Sequence, residues 1–250
     1  MNAIVAMSLD DVISLANSDS PSASELVVIS GVHRGFLQLI GQPSVTDVEN
    51  LRGRKVAVDT DIGYASALFE ILRRAGLQSN RDYEVIHAGA TNKRFEKLLS
   101  GEFDATLLGA PFTDLATQQS YRPLGSVCQI LGGYLGVVLV SRSSWLKNHH
   151  REATQVIDSL LSAVRWAKDP ANSEGVVEHI RTCVPAVTSD VQARQVTETL
   201  FGPSSDYLAN GRISDADIDV VVDIYNQTRG ASISTAAVRG LIDQSYLPGA

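Results

Sequence analysis

Only two cysteines occur in the 250 residues, Cys128 and Cys183. They lie far apart in apolar surroundings, so buried free thiols are expected rather than a disulfide, and the spacing excludes a thiolate metal site. No apolar run approaches the ~20 residues that span a bilayer. Basic runs are also missing: 21 Lys and Arg against 28 Asp and Glu give a net charge of −7, which excludes a general nucleic-acid binder. The histidines are His33, His87, His149, His150 and His179, and none pairs with another histidine or an acid at metal spacing. No GxSxG elbow, P-loop or HExxH occurs, so no cofactor or metal is expected. Internal repeats and low-complexity tracts are absent. The opening MNAIVAMSLDDV lacks the basic and long apolar regions of a secretory signal, so a chain starting at Met1 is expected to remain in the cytoplasm.

With 44% hydrophobic residues, the chain is long enough for one large domain or two lobes with cores of their own. The stretch from Leu51 to Phe112 reads as two strand–helix–strand passes in succession. Lys55–Val58 is a short β-branched run, followed by the turn Asp59-Thr60-Asp61. A helical stripe of Ala67, Leu68, Ile71, Leu72 and Ala75 comes next and is closed by Gly76. Tyr83–His87 is the next strand. Gly89-Ala90-Thr91 makes a turn, and Phe95, Leu98 and Leu99 give a second helix face before Gly101. Ala105–Leu108 is the third strand, stopped by Gly109-Ala110-Pro111. Strands alternating with helices of this length predict a parallel sheet with right-handed crossovers. The small-residue turns Thr60–Gly63, Gly89–Thr91 and Gly109–Pro111 then gather at the carboxyl ends of the strands, where open α/β sheets bind ligands.

Elsewhere, Ala3–Met7 reads as a buried strand and Ser8 as the N-cap of a helix through Val12, Ile13, Leu15 and Ala16. Leu26–Ile29 is a strand, Gly31–Gly35 a turn, and Phe36–Ile40 a candidate crossing into a second lobe. Phe112–Gln119 is a short helix. Tyr134–Val140 is an apolar strand and the expected return crossing. From Ser144 the pattern is helical: an apolar face of Val156, Leu160, Leu161, Val164 and Ala167, then Glu174–Ile180, Ser189–Leu200 capped by Ser189, and Ser214–Tyr225 capped by Ser214. Two crossings around an α/β insert predict two lobes about a hinge.

These residues carry a resemblance. Val48–Gly53, KVAVDTDIGYAS, ILRRAGL, GATNKRFEKLLSGEFDATLL and APF, in this order and spacing, resemble the substrate-binding proteins of ABC importers. The similar group is the nitrate, sulfonate, taurine and thiamine-precursor (SsuA/NMT1-like) type, over most of the chain from Ile4 to Leu247. The resemblance implies an α/β, two-lobed type II periplasmic-binding-protein fold with mostly parallel sheets and a helical C-terminal part packed on lobe one. Residues 1–47 and 131–250 would form lobe one and residues 48–130 lobe two. In that family an earlier strand–helix–strand unit precedes a pattern like Ala3–Ala16, so the first lobe is expected to be N-terminally incomplete. The implied role is solute binding in the cleft between the lobes, with a small molecule as ligand, an ABC permease as partner and a periplasmic or cell-surface location. Two other readings share the fold: a cytosolic enzyme of the decarboxylase, desulfinase or thiamine-precursor type, and a truncated relative with no working cleft. The cysteine-rich iron motif of the fungal thiamine-precursor synthases is not present.

The candidate ligand-binding residues are Ser8, Arg34, Thr60, Asp61, Gly63, Tyr64, Ala90, Thr91, Pro111 and Tyr134. A hydroxyl and backbone N–H groups at a helix N-terminus suit a carboxylate, sulfonate or phosphate. The alternative for Thr60 and Asp61 is ordinary capping of the helix's own donors. Asp59 and Asp61 would repel an anion and suit an amine or hydroxyl-rich ring. Tyr64 offers a flat wall with a polar tip or packs in the core. Gly89–Thr91 and Gly109–Pro111 either let a ligand approach the backbone or simply turn the chain. Ser8 is a cap first and a ligand contact second, Tyr134 faces the cleft or the core, and Arg34 is the best-placed cation if the GVHRG turn faces the cleft, with a solvated turn arginine as the default reading. No catalytic residue is assigned; His87, ending a strand near the cleft, is the one acid–base group to watch.

Overall fold

The computed structural model describes residues 3–249. In chain order the elements are β1 (Ile4–Met7), α1 (Leu9–Ala16), β2 (Leu26–His33), β3 (Gln38–Gly41), β4 (Lys55–Val58), α2 (Tyr64–Arg74), β5 (Glu84–His87), α3 (Thr91–Leu99) and β6 (Ala105–Leu108). Then follow α4 (Phe112–Gln118), β7 (Arg122–Ser126), α5 (Val127–Leu131), β8 (Val137–Arg142), α6 (Ser143–Leu146), α7 (His150–Lys168), α8 (Ser173–Cys183), α9 (Asp190–Phe201), α10 (Asp215–Arg229) and α11 (Thr235–Arg239). They form two compact units. Unit 1 holds residues 3–35, 133–169 and 206–249, and unit 2 holds residues 36–132 and 170–205.

Unit 1 contains a three-stranded sheet, β1-β8-β2, in which both outer strands run antiparallel to β8. Ile29, Leu139, Ile157, Leu161 and Leu247 form its core with α7 lying across. The buried stripe of α7 is Ala153, Ile157, Leu161 and Val164. The expected face included Val156 instead, but that side chain is 47% exposed. The register turns because residues 153, 157, 161 and 164 keep the four- and three-residue steps that hold one helical stripe against a sheet. The expected turn at Gly31–Gly35 is largely strand: β2 continues to His33, with bulges beside Ser30 and His33 that absorb the small residues.

Unit 2 holds a five-stranded sheet in the order β5-β4-β6-β3-β7. Here β4 pairs in parallel with β5 and β6, as the alternating pattern predicts. The other two ladders, β3 with β6 and β3 with β7, are antiparallel. Parallel pairing is thus confined to β5-β4-β6, and the sheets taken together are not mostly parallel. Ile40, Ala57, Leu98, Phe103 and Leu108 are core residues.

The unit boundaries differ from the expected lobes. Residues 36–47 fall in unit 2 because β3 is hydrogen-bonded between β6 and β7. Residues 170–205 also fall there: α8 packs on α9, and Asp114 of α4 accepts hydrogen bonds from Gln195 at 3.1 Å and Thr199 at 3.4 Å on α9. The chain therefore changes unit four times rather than twice. The thiols differ as well: both are free, but Cys128 is half-buried and Cys183 exposed. The latter ends α8 on its outer side.

At the end of β2, His33 is buried, accepts a hydrogen bond at Nδ1 from Gly35 N at 3.1 Å and meets Tyr207 edge-on. Burial lowers its pKa from 6.5 to about 4. Between those values the unfolded chain binds a proton that the folded chain does not, so stability falls as pH drops. The expected loss is roughly 3 kcal/mol between pH ~6.5 and ~4, and melting curves across that range should be flatter in His33→Asn. Leu161→Ala is expected to cost about 2–5 kcal/mol, and Val156→Ala to change stability by less than about 0.5 kcal/mol. Denaturant midpoints of the two variants show which stripe of α7 is buried.

Candidate functional site

The carboxyl ends of β4, β5 and β6 lie side by side in unit 2, and each strand leads into a helix. The turn after β4 ends at Gly63, whose backbone (φ 62, ψ −127) is open essentially to glycine alone and serves as the N-cap of α2. Ala90 is the N-cap of α3 and Pro111 that of α4. None of the three caps supplies a side-chain hydrogen bond. Thr60, one of the expected capping groups, instead donates from its hydroxyl to Ile62 O at 3.3 Å. Asp61 Oδ1 lies 2.9 Å from His87 Nε2, and both side chains are exposed. Three helices therefore start on one sheet edge from N-cap residues whose own side chains make no cap bond, and helix N-termini attract anions and polar oxygens.

Beneath this edge is a residue that sequence reasoning did not single out. Arg94 on α3 is only 6% exposed. Its Nε donates to Thr106 Oγ1 (3.1 Å) and its Nη1 to Gly89 O (2.7 Å). Its Nη2 donates to Thr91 Oγ1 and Leu107 O, both at 3.3 Å. Asp59 Oδ1 lies 3.8 Å from Nη1. Burial lowers the guanidinium's pKa, and the Asp59 carboxylate works against that. The one signal in the sequence was a charge on the inner stripe of α3, four residues before the buried Leu98. The crevice between Asp59, Tyr64, Leu68 and Arg94 has only about 10 Å³ of open space, room for about one water. A ligand on this edge must sit over the turns, not inside the crevice.

Thr60, Asp61, Gly63, Tyr64, Ala90, Thr91 and Pro111 thus gather on the strand-end edge of unit 2. Thr60, Asp61 and Ala90 are exposed, Tyr64 and Thr91 half-buried, and Pro111 buried behind a cis Ala110–Pro111 bond. Ser8, Arg34 and Tyr134 belong to unit 1. There Ser8 is a cap, accepting from Asp11 N at 3.0 Å. Tyr134 is fully buried and presents no surface. Arg34 makes a two-pronged ion pair with Asp217, at 2.5 and 3.2 Å. Among the described residues no group of three or more His, Cys, Asp or Glu side chains is placed to hold a metal. Among the same residues no helix is long and apolar enough to cross a membrane. Replacing Arg94 with Met would leave the Gly89 and Leu107 carbonyls and the Thr106 hydroxyl without their buried donor. An unfolding-free-energy loss of roughly 2–4 kcal/mol is expected, and amide exchange at residues 59–63 and 88–92 should quicken ahead of the rest of the sheet.

The NMT1-like family model matches residues 42–181. No curated protein matches the chain. Among solved structures, the chain is similar to the alkanesulfonate-binding protein SsuA from Xanthomonas axonopodis pv. citri bound to MOPS. The TM-score is 0.75 at 16% identity, over 96% of this chain and 80% of that one. It is also similar to the ligand-binding component of an ABC-type import system from Staphylococcus aureus with zinc bound (TM-score 0.74, 12% identity, 98% and 79% covered). A third likeness is to the desulfurization enzyme DSZB (TM-score 0.66, 12% identity, 98% and 84% covered). At these identities the likeness is one of fold. The chain belongs to the NMT1-like family and has the two-lobed type II fold of periplasmic binding proteins.

Proposed function

We propose that this chain is a solute-binding protein, the ligand-holding component of an ABC-type importer. It takes a small organic molecule with an anionic or strongly polar head on the strand-end edge of unit 2. The observation that carries this reading is the set of three helix N-termini gathered on one edge, starting from Gly63, Ala90 and Pro111, whose own side chains make no cap bond. Each brings backbone donors and the positive end of a helix dipole. Of the two aspartates, Asp59 lies 3.8 Å from the Arg94 guanidinium, which offsets its charge, while the partner of Asp61 is His87, which offsets it only when protonated. Tyr64, half-buried at the start of α2, provides the flat wall for an organic body. The sulfonate-binding relative supports a ligand of this kind, and a permease partner and a location outside the cytoplasmic membrane follow from the same role.

An enzymatic reading draws on one feature, the His87–Asp61 pair, which has the geometry of a base and its orienting acid at 2.9 Å. The fold likeness to a desulfurization enzyme is consistent with it. Neither cysteine is on the edge, since Cys128 lies in α5 and Cys183 ends α8. Calorimetric titration against taurine, alkanesulfonates, aromatic acids, pyrimidines and nitrate tests the binding reading. One class is expected to bind unchanged in composition, and Thr60→Ala with Tyr64→Ala to weaken it by roughly 1–3 kcal/mol. Full affinity in that folded double variant removes the edge from the site. Conversion of the ligand, lost in His87→Ala, replaces binding with catalysis.

A further inference from the structure

A second site is built into unit 1, sharing no residue with the strand-end edge. An open groove of about 740 Å³ runs beside the segment 207–214, with Arg34, Arg165 and Arg212 along it and Leu208 and Ile213 as its apolar lining. We propose that it binds a small multivalent oxyanion, of the phosphate or polycarboxylate class. The charge count supports this. Arg34 is matched by Asp217 at 2.5 Å, and Arg165 faces Asp158 across 3.6 Å. Among the described residues no carboxylate lies within ion-pair distance of the exposed Arg212. The groove thus keeps an excess positive charge in a chain of net charge −7.

The backbone carrying these groups is fixed in advance. Leu208 N donates to Val32 O at 2.9 Å and Gly31 N to Gly211 O at 2.8 Å, which ties the segment along β2. Ile213 N donates to Gln244 Oε1 at 3.0 Å. Gly211 adopts φ +69, and a Cβ there would lie 2.5 Å from Ser30 Oγ, so the segment is held against the strand with no room for a larger residue. Arg165, reaching from α7, donates to Ala209 O at 3.3 Å and joins the helix to the same segment. A pre-arranged cationic groove loses little conformational freedom when an anion enters, and guanidinium groups suit the paired oxygens of phosphate or carboxylate.

The experiment is calorimetric titration of the full chain with inorganic phosphate and with citrate, at constant ionic strength set by chloride. Saturable binding of at least one is expected. Arg165→Ala with Arg212→Ala should weaken it by about tenfold or more, and Arg212→Lys should retain an intermediate affinity. Both positions are exposed, and circular dichroism and melting of the variants check that the fold is kept. The edge variant Thr60→Ala with Tyr64→Ala should bind the anion as the parent does. Absence of saturable binding overturns the proposal, as does binding that the arginine variants leave unchanged. Binding lost only in the edge variant also overturns it, and that result would leave the proposed solute site standing.

Discussion

The strand-end edge depends on a single buried cation. The parallel ladder between β4 and β6 is short, pairing Val56 with Ala105 and Ala57 with Thr106. Beyond it, side chains take over the work of backbone pairing. Thr106 Oγ1 donates to Ala57 O at 2.8 Å and accepts from Arg94 Nε at 3.1 Å. The same guanidinium then reaches Gly89 O, Thr91 Oγ1 and Leu107 O. One residue of α3 thereby holds the ends of two strands and the turn between a strand and its helix. Buried carbonyls that sheet pairing no longer satisfies find their donors here.

The distribution of helix caps has the same logic. Serine side chains cap α1, α5, α9, α10 and α11 through Ser8, Ser126, Ser189, Ser214 and Ser234, and Ser214 with Asp217 makes a full capping box. The three helices that begin at the strand-end edge of unit 2 start from glycine, alanine and proline. A side-chain cap stabilises a helix by about 1 kcal/mol, and the N-cap residues of these three do not provide it. Helices α6, α7 and α8, which start from Arg142, His149 and Asn172, lack a side-chain cap too, so what sets the edge apart is that three such starts follow neighbouring strands of one sheet.

Much of this edge was legible in the sequence, because period and punctuation agree there. Lys55–Val58 and Ala105–Leu108 are the strands as read, and Ser8, Ser189 and Ser214 cap the helices they were expected to cap. Local chemistry decides such features, so they survive without knowledge of the rest of the chain. Pairing partners do not. Nothing in Gln38–Gly41 says that it inserts between β6 and β7, nor does the amphipathic pattern of α8 and α9 name the unit they cover. Arg94 was passed over for a related reason. A charge on an apolar stripe looks like an interruption until the carbonyls that surround it are known, and those come from residues 5 and 13 positions away along the chain.

The sign of a binding surface is set by pairing more than by counting. Read as letters, Asp59-Thr60-Asp61 is an acidic turn that should turn an anion away. In the folded chain Asp61 is engaged by His87, and Asp59 stands 3.8 Å from a guanidinium whose hydrogen bonds all go to neutral oxygens. Neutral acceptors satisfy the hydrogen-bonding needs of Arg94 without cancelling its charge, so its field remains available to offset the carboxylate above it. Arg34 shows the converse. It is half-exposed and read as the best-placed cation if its turn faced the cleft, yet both prongs of its fork are on Asp217, whose carboxyl burial pushes up but whose bonds from Arg34 and Ser214 hold below the usual range. The arginine read as best placed is paired with Asp217, and Arg94, which the sequence did not single out, keeps its charge among neutral oxygens.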